Sequence, residues 1–166
     1  NVVFALQSKL VINPFLGNGG ANNSLIFDDC PCPAIACVGK EYCYNPQAID
    51  PDGDSLSYEL VAPLGLDAEA LPIPTVYLYP NQVNAGGGTM TIDPSTGTMC
   101  WDSPHMVGEF NFTIKITEWR NGFEVGYVIR DVQLTKQLQQ RSASNRPYSR
   151  YMCYSRRNCS ILCKCK

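Results

Sequence analysis

Histidine, long apolar runs and helical periodicity are what this sequence lacks. A single histidine, His105, stands among 166 residues. That leaves little material for imidazole acid–base work or for His-rich metal centres. No G-x-S-x-G elbow and no H-E-x-x-H pair occurs, which excludes the serine-hydrolase and zinc-protease arrangements written with those motifs. No run of about 18 apolar residues is found, so no membrane-spanning helix is expected. No helical period longer than two turns is read before residue 135. A leader of the secretory kind is missing and Asn1 stands first. The chain therefore reads as a mature product or as an excerpt from a longer protein.

Acids are missing from one region only. Residues 1–135 hold all 15 acids against five bases (Lys9, Lys40, Lys115, Arg120, Arg130), a balance of −10. Residues 136–166 hold eight bases and no acid, a balance of +8. A body this acidic is a poor fit to nucleic acid. Nine cysteines point to an oxidising compartment unless metal spacing explains them.

What is present is a period of two. "EFNFTIKITEW" places Phe110, Phe112, Ile114 and Ile116 on one face and Asn111, Thr113, Lys115 and Thr117 on the other. Asn121-Gly122 is the strongest hairpin signal, and "FEVGYVIRDVQLT" returns as the partner strand. Pairing across that turn puts Tyr127 and Ile129 on the Phe112–Ile116 face. Val132 and Leu134 then fall out of phase, so a bulge is expected near Arg130-Asp131. Further strands are expected at "VVFALQSKLVI", "SLIFD", "EYCYNPQAI", "SLSYELV", "IPTVYLY", "GTMTID" and "GTMCW". Turn residues separate them. Seven to nine short strands at this spacing indicate an all-β chain, an immunoglobulin-like β-sandwich ahead of a closed barrel.

"DPDGD" at residues 50–54 puts three aspartates into five positions. Calcium takes six to eight hard oxygen ligands, which alternate aspartates on a turn supply. The same residues are also ordinary turn formers. At about 6 Å in water each carboxylate pair repels by roughly 0.7 kcal/mol, so a solvated turn tolerates them without a cation. Both readings of Asp50, Asp52 and Asp54 stand at this point. Further oxygen ligands for a cation would come from Glu118, Asp131, Asp102 or a neighbouring module.

The cysteines read as disulfides rather than zinc ligands, because no paired C-x-x-C knuckle occurs. Cys32–Cys37 and Cys43–Cys100 are the expected pairs, with Cys30 left over. His105 falls in an inter-strand turn and the carboxylates fall mostly at turns, so no enzymatic activity is expected. A paired-carboxylate glycosidase is the weighed exception. Asn22-Asn23-Ser24 and Asn111-Phe112-Thr113 match the glycosylation pattern. Tyr42, Tyr44, Tyr58, Tyr77, Tyr79, Trp101 and Trp119 would either stack on sugar or pack the core.

The segments A-x-D-x-D-G-D-x-L-x-Y-x-L, I-D-x-x-T-G-x-x-x-W and E-W-R-N-G…R-D-x-Q follow one another in this order. Over about residues 4–135 the chain resembles the cadherin-like, immunoglobulin-like repeats of very large secreted surface proteins of Bacteroidota, those associated with gliding motility and type 9 secretion. The resemblance implies a structural or adhesive module at the cell surface, strung in tandem with neighbouring modules and binding a surface polymer or protein. It implies calcium through an Asp-x-Asp that falls on Asp50 and Asp52. The acidic L-D-x-E segment of cadherins is absent, and "WDSPHMVGEF" occupies its place. The rival reading is a carbohydrate-binding module attached to a secreted hydrolase.

On this reading residues 1–135 form one β-sandwich repeat module. Residues 136–166 form a basic, cysteine-containing, non-β tail. Read one base later with permitted codons, that tail can encode a string that looks like the linker and first strands of the next repeat. A reading-frame slip therefore accounts for the break in charge, and an early stop codon in the shifted frame would contradict it. The other reading is a basic tail with a C-x5-C-x3-C-x-C metal or disulfide knot at Cys153, Cys159, Cys163 and Cys165.

Overall fold

The computed structural model describes residues 6–12, 15, 20–28, 34–65, 77–83, 87–102 and 105–137. Ten β-strands run through them: β1 Leu6–Leu10, β2 Ile26–Phe27, β3 Ala34–Cys37, β4 Tyr42–Tyr44, β5 Ala48–Ile49, β6 Ser55–Val61, β7 Met90–Ile92, β8 Met99–Trp101, β9 Gly108–Arg120 and β10 Phe123–Gln137. Helix is confined, among the described residues, to short 3-10 turns such as Pro80–Gln82. Over the described residues the chain is all-β, as the period of two implies.

The hairpin β9–β10 is the spine. Asn121 and Gly122 turn it with φ of 53° and 81°, the left-handed values that an Asn-Gly turn accepts. The larger sheet has the order β1-β10-β9-β6, antiparallel throughout, and β3 adds to β10 in parallel. A second sheet has the order β4-β8-β7, and β2 pairs with β5 alone. β10 runs on past Thr135 to Gln137, where it pairs with Cys37.

The register shift in the hairpin lies between Glu124 and Gly126, not near Arg130-Asp131. Because it comes directly after the turn, every residue from Gly126 onward changes phase. Val128, Val132 and Leu134 therefore sit opposite Ile116, Phe112 and Phe110. Tyr127 and Ile129 pair with Thr117 and Lys115 on the other face. The corrected phase gives β9 one inward row: Phe110, Phe112, Ile114, Ile116, and then Glu118.

The second sheet alternates in the same manner. Tyr42, Tyr44, Met90, Ile92, Met99 and Trp101 share a row, and all contribute to the core that Phe112, Ile114 and Ile116 also line. Trp101 packs edge-on to Phe110 at 5.2 Å, and Tyr44 edge-on to Phe112 at 5.9 Å. Such pairs add about 0.5–1.5 kcal/mol each beyond area burial. Cys43 and Cys100 face each other in the opposite row and are joined, with Cα atoms 4.2 Å apart. Cys37 is also disulfide-bonded. Cys30 and Cys32 lie outside the described residues.

The expected strand at "IPTVYLY" is absent over its described part. Residues 77–79 lead instead into the 3-10 turn. Tyr77 and Tyr79 donate their hydroxyls to the carbonyls of Asn111 and Leu60, so this segment is tied to the sheet by side chains rather than by a ladder.

Asp93 closes the turn between β7 and β8. Its Oδ1 accepts the Ser95 hydroxyl at 2.7 Å and the amides of Ser95 and Thr96 at 2.8 and 3.0 Å. Those bonds, the Ser95 hydroxyl first, lower its carboxyl to about 2. A depressed carboxylate adds stability above its unfolded value of 3.8 and loses it as pH falls through about 2. Asp93→Ala is expected to lower the melting temperature at neutral pH. Thermal scans against pH should show the deficit closing at the acid end, and a deficit that does not change with pH would contradict this.

Candidate functional site

The DPDGD turn folds on its first aspartate. Asp50 Oδ1 accepts the amides of Asp52 at 2.8 Å and Asp54 at 3.0 Å, and the Asp50 carbonyl accepts the Gly53 amide at 3.3 Å. This is the aspartate-centred turn that the composition allows. One consequence is convergence: the carboxylates of Asp50, Asp52 and Asp54 bring oxygens within 4.8 Å of one another.

Two further elements close over them. Arg120, at the end of β9, donates Nε and Nη2 to Asp54 at 2.7 and 2.6 Å, a two-pronged pair. Its Nη2 lies 3.5 Å from Asp52. Nη1 and Nη2 also reach the Ala21 carbonyl at 2.9 Å and Asn22 Oδ1 at 3.0 Å. Asn23 donates its backbone amide to Asp52 Oδ2 at 2.6 Å and its side-chain amide to Oδ1 at 2.8 Å. Those Asn23 bonds, more than the Arg120 charge, hold the Asp52 carboxyl below the usual carboxylate range. The side chains of Asp52 and Asp54 are only 6% and 5% exposed, so the turn is not the solvated one in which its charges would be harmless.

Glu118 is the member that changes the chemistry. It is fully buried, at the end of the inward row of β9. Oε2 accepts Asn22 Nδ2 at 2.9 Å, and the same nitrogen reaches the Val125 carbonyl at 3.0 Å. Oε1 has no partner, and neither has Asp50 Oδ2, which is also buried. Burial pushes the Glu118 carboxyl up, and the charges of Asp50, Asp54 and Asp52 push it further, against the Asn22 hydrogen bond. Gly126 lies opposite Glu118 in the ladder. A Cβ there would collide with Glu118 Oε2 and stand 2.9 Å from the Lys9 carbonyl, so only glycine leaves room for this carboxylate.

Four acids against one guanidinium, with two buried oxygens unsatisfied, suit a hard divalent cation. Asp50, Asp52 and Asp54 are the residues that would hold it, Asp54 while paired to Arg120, and Glu118 adds its charge from beside that set rather than as one of its converging oxygens. Of the other oxygen ligands considered, Asp131 sits on the opposite face and accepts the Thr113 hydroxyl at 2.6 Å. Asp102 is exposed beyond β8.

Arg120, Asn22 and Asn23 were not singled out from sequence as members of the site. The signal for Arg120 was present: the apolar row of β9 continues inward as Glu118 and Arg120. Asn22 matched a glycosylation pattern, but its amide is committed to Glu118 and Val125. A second group, Glu41, Cys43 and Cys100, also gathers ligand atoms within 4.8 Å, with its two sulfurs joined to each other.

The expectation of no enzymatic activity is corrected here. Three converging carboxylates beside a buried carboxyl with a raised proton affinity are the parts of which metal-assisted and acid–base centres are made. His105, the single histidine, is exposed and outside any strand. The aromatics of the supposed sugar platform are divided. Trp101 and Tyr58 are buried, Tyr77 and Tyr79 stand at 75° to each other, and Trp119 is exposed.

No protein-family model and no curated protein matches the chain. Among solved structures it is similar to a nucleoside hydrolase-related hypothetical protein from Saccharophagus degradans, described as associated with carbohydrate metabolism. The identity is 17% and the TM-score 0.43, over 71% of this chain. The chain spans about a quarter of that protein (26%), and a likeness at this level fixes neither fold nor function. Among the described residues no helix is long and apolar enough to cross a membrane.

Proposed function

We propose that the chain is a cation-holding β-sandwich module of a secreted surface protein. It works in series with neighbouring modules and presents a face to a surface polymer or protein. The observation that carries this reading is the convergence of the Asp50, Asp52 and Asp54 carboxylates, with Asp50 Oδ2 buried and unpartnered. A cation there ties the DPDGD turn, the 20–23 segment that Asn23 bonds to it and the β9–β10 hairpin that Arg120 bonds to it into one rigid end. The Cys43–Cys100 bond ties β4 to β8. Covalent and ionic ties of this kind suit an oxidising, calcium-rich exterior. The resemblance to tandem surface repeats supplies the arrangement in series. Single-molecule pulling in calcium and in EDTA tests the mechanical role. The unfolding force is expected to drop in EDTA, and an unchanged force would sink it.

A second reading, a carbohydrate-binding module attached to a secreted hydrolase, is favoured by the hairpin tip. Trp119 is 36% and Phe123 64% exposed there, and the Trp119 indole nitrogen donates to the Ser57 hydroxyl. Exposed rings suit the apolar faces of sugar rings. Electrophoresis through gels containing soluble polysaccharides tests it. Retardation that Trp119→Ala abolishes supports this reading, and no retardation by any polysaccharide removes it.

A further inference from the structure

Outside the acidic cluster, one set of ligating atoms is present in a masked form. Cys43 on β4 and Cys100 on β8 are directly opposite, on the face of their sheet turned away from the core. Glu41, one residue before β4, brings a carboxylate oxygen within 4.8 Å of both sulfurs. Cys43 and Glu41 are exposed and Cys100 is half-buried, so an external reductant reaches the bond. On both strands the neighbours of the cysteines point inward: Tyr42, Tyr44, Met99 and Trp101 pack into the core. The strand pair is therefore held by packing as well as by the bond between the sulfurs.

We propose that Cys43, Cys100 and Glu41 form a redox-gated site for a thiophilic divalent cation such as zinc. Two equivalents of a thiol reductant convert the disulfide to two thiols and are themselves oxidised to one disulfide. The metal then displaces both thiol protons to solvent. It is held by two thiolate sulfurs and one Glu41 carboxylate oxygen, with water completing a tetrahedral set. A small-molecule disulfide takes the two electrons back by exchange and leaves as two thiols, and the re-formed Cys43–Cys100 bond releases the ion, because a sulfur engaged in a disulfide has no thiolate charge to offer. The ladder positions of Cys43 and Cys100 limit how far the sulfurs separate when the bond opens. Soft sulfur donors make this site chemically distinct from the all-oxygen cluster at Asp50 and Glu118. It is independent of the reading given to that cluster.

Site-resolved alkylation of the full chain tests this, since seven other cysteines would blur any bulk metal assay. The protein is reduced with dithiothreitol, desalted without air, and treated with iodoacetamide with and without zinc. Each cysteine is then quantified by peptide mass. Zinc is expected to slow alkylation of Cys43 and Cys100 together by at least about tenfold, the change that a 1.4 kcal/mol interaction produces. Glu41→Gln keeps both cysteines and leaves the oxidised protein intact, and it is expected to lose most of that protection. Equal rates at Cys43 and Cys100 with and without zinc would overturn the proposal and leave the bond as a covalent tie between two strands. Undiminished protection in Glu41→Gln would overturn the three-ligand site.

Discussion

In EDTA the Glu118→Gln variant is expected to be more stable than the wild type, and in calcium less stable. The wild-type chain without a cation buries a carboxyl at the end of its core row, facing three aspartates. An unsatisfied buried polar atom costs about 1–3 kcal/mol. Glutamine keeps the shape and an oxygen for Asn22 and removes the charge that the neighbouring aspartates oppose. A gain of about 1–3 kcal/mol in EDTA follows. Calcium reverses the order because it binds the folded wild type. Free cation at a hundred times its dissociation constant adds about 2.7 kcal/mol, which the variant forgoes. The pH dependence has a sign opposite to that of Asp93. A carboxyl whose folded value is raised contributes fully below its unfolded value of 4.5 and loses that contribution as pH rises through the folded value. In EDTA the wild type should therefore lose stability over that rise, and Glu118→Gln should not. Denaturant titrations in the two buffers check the crossing, and a variant that is less stable in both contradicts it.

Gly126→Ala is expected to destabilise the chain by about 1–3 kcal/mol, the cost of overpacking a filled interior, and to abolish the response to calcium. The added methyl meets the Glu118 carboxylate on one side and the Lys9 carbonyl at 2.9 Å on the other. The carboxylate is the end of a side chain and gives way first, so the charge that backs the cation is displaced. The carbonyl belongs to β1, which is hydrogen-bonded to β10 in this register, and has little room to move. Thermal unfolding with and without calcium reads both effects. If Gly126→Ala keeps the full calcium shift, Glu118 is not held where the ladder places it.

The relation between this site and its sequence explains what was legible. Alternation along "EFNFTIKITEW" located β9 and its inward row because apolar side chains at every second position leave one arrangement that buries them. The Asn-Gly turn located the hairpin for an equally local reason. The phase of β10 was misplaced because a bulge is a backbone event. Tyr127 and Ile129 look as inward as Val128 and Val132 do until the position of the extra residue is known. That error matters for the site, since the shift between Glu124 and Gly126 is what sets a glycine opposite Glu118.

Asp50, Asp52 and Asp54 were legible as a group because they lie within five residues. Their environment was not. Whether a carboxylate turn is solvated depends on Asn22, Asn23 and Arg120, which arrive from about 30 and 70 residues away. Nothing local in "ANNS" distinguishes a glycosylation pattern from an amide that bridges Glu118 to Arg120. Expecting no chemistry from the chain rested on the scarcity of histidine and on carboxylates that looked scattered. Folding gathers three of them and buries a fourth, Glu118, within reach of their charge.

Titration calorimetry of the metal-stripped full chain with calcium decides whether the acidic cluster is a cation site. One calcium is expected to bind per chain at the acidic cluster. No binding is expected in the Asp50→Asn, Glu118→Gln double variant, whose turn keeps the Asp50 Oδ1 bonds through the asparagine oxygen. Absence of binding in the wild type, or the same isotherm in the double variant, would contradict this.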